Sequence, residues 1–235
     1  MLFRQQKSLS IKGSGMKIST GPIKNRATRV VAASIGVICG LIGIQHGIFE
    51  ILQGNVPTSG ILIDAIGPDY KLWESAREPA LSILPNYLIT GICAVLIGLL
   101  VIVWSAAFIH KKYGALIFFA LSVLQLLVGG GITPFELSIL ASLAAARINR
   151  PLTWWEKHLP VGFRHVLARV WLMLLIAFVV LFALSFSITI FGLWLVKPEH
   201  TITLLYIMGL STLGLMCLTV MAGFAKDIEQ QDVMD

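Results

Sequence analysis

Between Val30 and Leu52 the only acidic or basic side chains are His46 and Glu50. At ~1.5 Å of rise per residue, a helix over this stretch crosses the ~30 Å hydrocarbon core of a bilayer. A chain that crosses lipid has to satisfy every backbone N–H and C=O internally, which leaves helices and closed barrels as the available structures. At ~100° per residue, Gly36, Gly40, Gly43, Gly47 and Gly54 fall within about 60° of one another and draw one glycine stripe along the helix. Glu50 lies on the same stripe. Helices gain no hydrophobic free energy by meeting in lipid, and they associate where small residues let backbones approach. The stripe predicts a helix at the centre of a bundle, with Gly36, Gly40, Gly43 and Gly47 as its packing face and Glu50 turned toward protein.

The remainder of the chain agrees with this reading. Its 235 residues are 57% hydrophobic and 13% charged, with a mean hydropathy of +0.85, too apolar for an ordinary soluble domain. The expected fold is an all-α, polytopic integral membrane bundle. A net charge of +6 would suit nucleic acid, but the basic residues sit in short segments between apolar runs, where they set orientation. Nucleic acid is rejected as a partner; the lipid bilayer is expected, together with a membrane-protein partner or a homo-oligomer. Cys39, Cys93 and Cys217 lie inside apolar runs and form no CxxC pair, so neither a disulfide framework nor a thiolate metal site is indicated. No GxSxG, HExxH, Walker A or Rossmann fingerprint occurs in a fitting context, and the sequence names no cofactor.

Six membrane segments are expected, four full spans and a short-armed helical hairpin. Residues 1–29 read as a basic disordered tail, with Met16 as a second candidate start and no convincing signal-peptide cleavage site. Residues 30–225 form the transmembrane domain, with full spans at about 30–53, 84–110, 170–196 and 201–225. An outer acidic loop, 55–83, separates the first two; Tyr70 and Trp73 suit the headgroup region, and Ile61 to Ile66 dips into the interface or caps the bundle. Gly91, Ala94 and Gly98 make the second span the expected partner of the first. Residues 115–146 are too long for one upright span. They break at Gly129-Gly130-Gly131, after which Thr133-Pro134-Phe135-Glu136 reads as a capping-box helix start. The arms, 115–129 and 134–146, are each ~20 Å long, as tilted short spans or a re-entrant pair. A second Thr-x-x-Glu box, Thr153 to Glu156, opens an inner interfacial helix over 151–169, which contains Trp154 and Trp155. Residues 226–235 form an acidic tail.

With both termini cytoplasmic, 15 of the 18 Lys and Arg residues lie inside and only Lys71, Arg77 and Lys197 outside, as the positive-inside rule requires. Were the glycine break not to reverse the chain, the basic group from Arg147 to Arg169 would cross over and erase the bias. The outer face then carries Glu50, Asp64, Asp69, Glu74, Glu78, Glu136 and Glu199. The expected location is the cell membrane.

His46 and Glu50 stand one helical turn apart, a spacing that permits a hydrogen bond, a proton or ion path, or two metal ligands. With the span centred near Leu41, His46 lies ~7–8 Å and Glu50 ~13–14 Å outward of the midplane. An ionisable group at the first depth is a candidate functional group by default. The plain alternative is a neutral His46 bonded within the bundle and a Glu50 that reaches outer water, and two ligands do not make a metal site. Gln125 is expected to bond across helices, Glu136 to act as the cap, and His200 to stand near the same surface. His110, His158 and His165 read as interface anchors.

Three functions fit. The first is a non-catalytic accessory or assembly component that packs through the glycine-striped first helix. The second is a small transporter or channel built on the broken hairpin at Gly129 to Gly131 and the His46/Glu50 pair. The third is a metal or redox enzyme that uses the same pair.

Overall fold

The computed structural model describes residues 25–66, 78–195 and 197–232. The expected tail up to residue 24, the loop residues Asp69, Tyr70, Lys71, Trp73, Glu74 and Arg77, and residues 233–235 lie outside that description. The described chain is mostly helical. Four helices are long and apolar enough to cross a membrane, Arg26–Gln53, Tyr87–Phe108, Val161–Phe191 and His200–Asp232, which is the make-up of an integral membrane protein.

Helix α1 (Arg26–Gln53) is the axis. It begins before the expected Val30, so Arg26 and Arg29 belong to its first turns and not to the tail. Gly54 closes it with φ 88°, and its N–H returns to Ile51 O. A β-carbon at Gly54 would meet nothing within 4 Å among the described residues, so Gly54 ends the helix and does not extend the close-packed stripe.

Helix α2 (Tyr87–Val103) starts later than expected, because Asn86 caps it by accepting from the Ile89 N–H at 3.2 Å. Pro85 therefore precedes the helix and does not fill its first turn. The helix continues into a π turn, Trp104–Phe108. Its backbone meets that of α1 at two levels. A β-carbon at Gly40 would lie 2.6 Å from Gly98 O, and one at Gly98 2.8 Å from Gly40 O. One turn pair further along, a β-carbon at Gly47 would lie 2.7 Å from Gly91 O, and one at Gly91 2.5 Å from Gly47 O. None of the four positions has room for a side chain.

The segment expected as a plain acidic loop contains a two-stranded antiparallel sheet, β1 (Leu62–Ile66) and β2 (Glu78–Leu81). The fold is thus not wholly helical. Ile63, Ala65, Ile66 and Ala80 are buried under it, which is how the Ile61 to Ile66 run covers the end of the bundle. Pro79 biases Glu78 toward extended backbone. The register slips between Asp64 and Ile66, and the interrupted alternation gives the strands a weak signature.

Helices α3 (Gly114–Leu127) and α4 (Ile132–Ala145) have 14 residues each, ~21 Å at 1.5 Å per residue. The chain reverses between them at Gly129 (φ 90°) and Gly131 (φ 88°). This turn is held by the end of β2 and the residues just after it: the Ile83 N–H donates to Leu127 O at 2.9 Å and the Gly129 N–H to Leu81 O at 2.9 Å. Helix α4 starts at Ile132, so Thr133 lies inside it. The Thr133 to Glu136 box does not form, and Glu136 is exposed.

Helix α5 (Thr153–His158) likewise begins without a side-chain cap, so the second box is also unformed. The expected interfacial helix over 151–169 is divided at Pro160. Its second half opens α6 (Val161–Leu195), which bends at Phe191. Helix α7 (Pro198–Asp232) runs past the expected end at 225, so residues 226–232 are helix and not tail.

The start of α1 meets the end of α7. Asp227 accepts from the N–H groups of Ala27 (Oδ1, 2.9 Å) and Thr28 (Oδ2, 2.7 Å), capping α1 from another helix. Asn25 donates to the carbonyls of Arg147 (2.6 Å) and Arg150 (2.9 Å) and accepts from Gln231 at 2.8 Å. The bundle therefore has a terminal end, where these segments join, and a turn end, where the glycine turn lies under the sheet. Between them Val31, Ile35, Ile38 and Cys39 of α1 share one core with Phe118, Phe178, Met216, Val220 and Phe224.

Candidate functional site

Two buried ionisable groups, His46 and Glu50, lie at the turn end. His46 and Glu50 both point from α1 toward the glycine turn. A β-carbon at Gly131 would sit 2.6 Å from His46 Cε1, and one at Gly129 would strike both carboxyl oxygens of Glu50. Gly129 and Gly131 are therefore required twice, for their positive φ and for the space that these two side chains occupy.

His46 is 4% exposed. Its Nδ1 lies 3.0 Å from Ile42 O, and a carbonyl only accepts, so Nδ1 carries a proton. Its Nε2 lies 3.0 Å from Glu78 Oε2. That contact requires one proton between the two atoms, held on the imidazolium against a carboxylate or on the carboxyl against a neutral ring. The pairing anticipated with Glu50 is thus made with Glu78 at the start of β2.

Glu50 does not reach outer water. It is 0% exposed, and neither of its oxygens has a hydrogen-bond partner among the described residues. Burial of a carboxyl without donors is costly. Several other polar groups at this end of the bundle are paired. Ser82 Oγ and Thr90 Oγ1 are 2.5 Å apart, and Thr90 donates to Val128 O at 2.8 Å. Gln53 donates to the carbonyls of Asp64 (3.0 Å) and Ala65 (2.8 Å).

A cleft of about 550 Å³ opens beside His46, between α1, the start of α4 and the helices α6 and α7. Its polar lining is His46, Glu78, Gln45, Thr133, Ser185 and Thr189, with Tyr206 at the same surface. Gln45 is 6% exposed, and its amide nitrogen has no partner among the described residues. Glu136 and His200 do not line this cleft. Among the described residues no group of three or more His, Cys, Asp or Glu comes together as a metal site.

The glycine stripe is consumed inside the chain. Gly40 and Gly47 back onto α2, Gly43 receives the Gln125 amide, and Gly36 receives Ser105 and the Phe118 ring. Gln125 donates across helices to Cys39 O at 2.9 Å. Glu78 is the member of the site that sequence reasoning missed. It counted only as one acidic loop residue, and the single pointer to it is the proline that follows. The chain matches no protein-family model, no curated protein and no solved structure.

Proposed function

We propose that the protein is a small multi-pass transporter that handles protons or small cations at a site formed by His46, Glu78 and Glu50. The observation that carries this reading is Glu50, a fully buried carboxyl without a hydrogen-bond partner among the described residues, one helical turn from a histidine that opens on a polar cleft. Intramembrane ionisable groups are costly and mark ion or proton paths. The interrupted hairpin beside them matches the irregular backbone that lines such sites. In this proposal there are six membrane segments, both termini are cytoplasmic, the cleft faces outward, and the bilayer is the cell membrane; the distribution of Lys and Arg supports that orientation.

The test is proton flux in liposomes loaded with a pH-sensitive dye, driven by a potassium diffusion potential. Wild-type protein is expected to collapse the gradient faster than empty liposomes, and Glu50→Gln to return the rate to background. Wild-type rates equal to those of empty liposomes would overturn the proposal.

The accessory-component reading loses the surface first assigned to it, because the glycine stripe is occupied by α2, α3 and the π turn. It keeps another. The membrane windows of α6 and α7 are largely uncovered by the rest of the chain, so a membrane partner would dock there, and native mass spectrometry after gentle extraction would report it. A metal or redox enzyme would need a third ligand beside His46 and Glu50.

A further inference from the structure

A second groove, of about 1020 Å³, runs along the opposite half of α1, between the π turn and α6. Its mouth at the terminal end holds Arg26, Arg29 and His110, and among the described residues no Asp or Glu lines it. Its walls are apolar: Val30, Val37 and Leu41 of α1 face Phe182 and Phe186 of α6. Phe182 and Phe186, their rings 5.6 Å apart, also border the outer cleft and so close the far end of the groove.

The length is telling. From Val30 to Leu41 the helix rises ~16 Å, close to half of the ~30 Å hydrocarbon core. The groove therefore spans one leaflet, from a basic mouth at the headgroup level to an aromatic floor near the midplane. Arg26 and Arg29 are exposed, and neither forms an ion pair among the described residues. Asp227, on the packed helix α7, accepts from the Ala27 and Thr28 N–H groups. The amides of Asn25 and Asn149 are likewise spent on backbone carbonyls. The mouth thus offers positive charge, and among the described residues no carboxylate lines it to receive a choline or ethanolamine ammonium.

We propose that this groove is a binding site for one anionic phospholipid, with its phosphate between Arg26 and Arg29 and its acyl chain along Val30, Val37 and Leu41. The proposal does not rest on the outer cleft or on any transport activity, although Phe182 and Phe186 border both sites.

Native mass spectrometry of the full chain in mild detergent tests it, with phosphatidylglycerol and phosphatidylcholine of identical acyl chains as probes. Wild-type protein is expected to retain one phosphatidylglycerol with a preference of about tenfold or more, as two basic contacts would give. Arg26→Gln with Arg29→Gln should abolish the preference. Ala183→Trp, at an exposed residue of the facing wall, should expel the lipid while leaving both arginines in place. Equal retention of the two lipids, or undiminished phosphatidylglycerol on the Ala183→Trp protein, would overturn the proposal. So would displacement of the lipid by inorganic phosphate alone, which marks a site for the headgroup only, or a dimer seated through this face.

Discussion

Nε2 of His46 lies 3.0 Å from Oε2 of Glu78, so a buried residue of a helix long and apolar enough to cross a membrane is paired with the first residue of a strand. The strand thus supplies one half of the pair. Replacement of Glu78 by Gln keeps a hydrogen-bonding partner for the ring but removes the proton acceptor. Glu78→Gln is expected to lower proton flux in liposomes to background while costing no more than about 1 kcal/mol of stability. Wild-type flux in this variant would remove Glu78 from the proposed site.

Glu50 has the opposite balance of stability and activity. Its carboxyl is buried with no donor among the described residues, so removing it relieves a desolvation penalty. Glu50→Met is expected to raise stability by about 1–2 kcal/mol and to abolish flux. Thermal unfolding in detergent reads the first effect; a lowered midpoint would show that the carboxyl is held by favourable contacts.

The turn glycines report on the same site from the other side. Gly131→Ala introduces a β-carbon at φ 88° and against the His46 ring, and is expected to cost about 1–3 kcal/mol. Gly60→Ala makes a useful comparison, because its φ is also positive (153°) but a β-carbon there meets open space. A smaller loss at Gly131 than at Gly60 would contradict the packing described.

Gly40→Leu and Gly98→Leu each place a side chain where two backbones touch, at an expected cost of about 1–3 kcal/mol or more through overpacking. Because the two glycines face each other, the double variant should lose less than the sum of the two single losses. Strict additivity in unfolding measurements would mean that the helices separate at this level.

The helical character was legible because apolar runs of membrane length leave few alternatives. The α1 to α2 contact was legible for a related reason: in lipid, small residues at helical spacing have one common use. Features that depend on residues far apart in the chain were not. Neither Thr-x-x-Glu box forms, because α4 is already helical at Ile132 and α5 starts directly after Leu152, whatever the local pattern favours. Helix α7 was read as ending near residue 225 because Asp227 looks like the first residue of a polar tail. What keeps it helical and buried is the unsatisfied N–H pair of α1, which no local window contains. His46 and Glu50 were legible as buried ionisable groups, whereas Glu78 came into the site only through the pairing of β1 with β2.

The cap on α1 has a consequence in time. Asp227 stands 200 positions after Ala27, so during synthesis the first membrane helix is made long before the carboxylate that completes it. Until the ribosome has passed the last helix, the Ala27 and Thr28 N–H groups and the Asn25 side chain lack their final partners. The start of α1 thus records whether α7 has been made, and a product cut short before Asp227 leaves the Ala27 and Thr28 N–H groups uncapped.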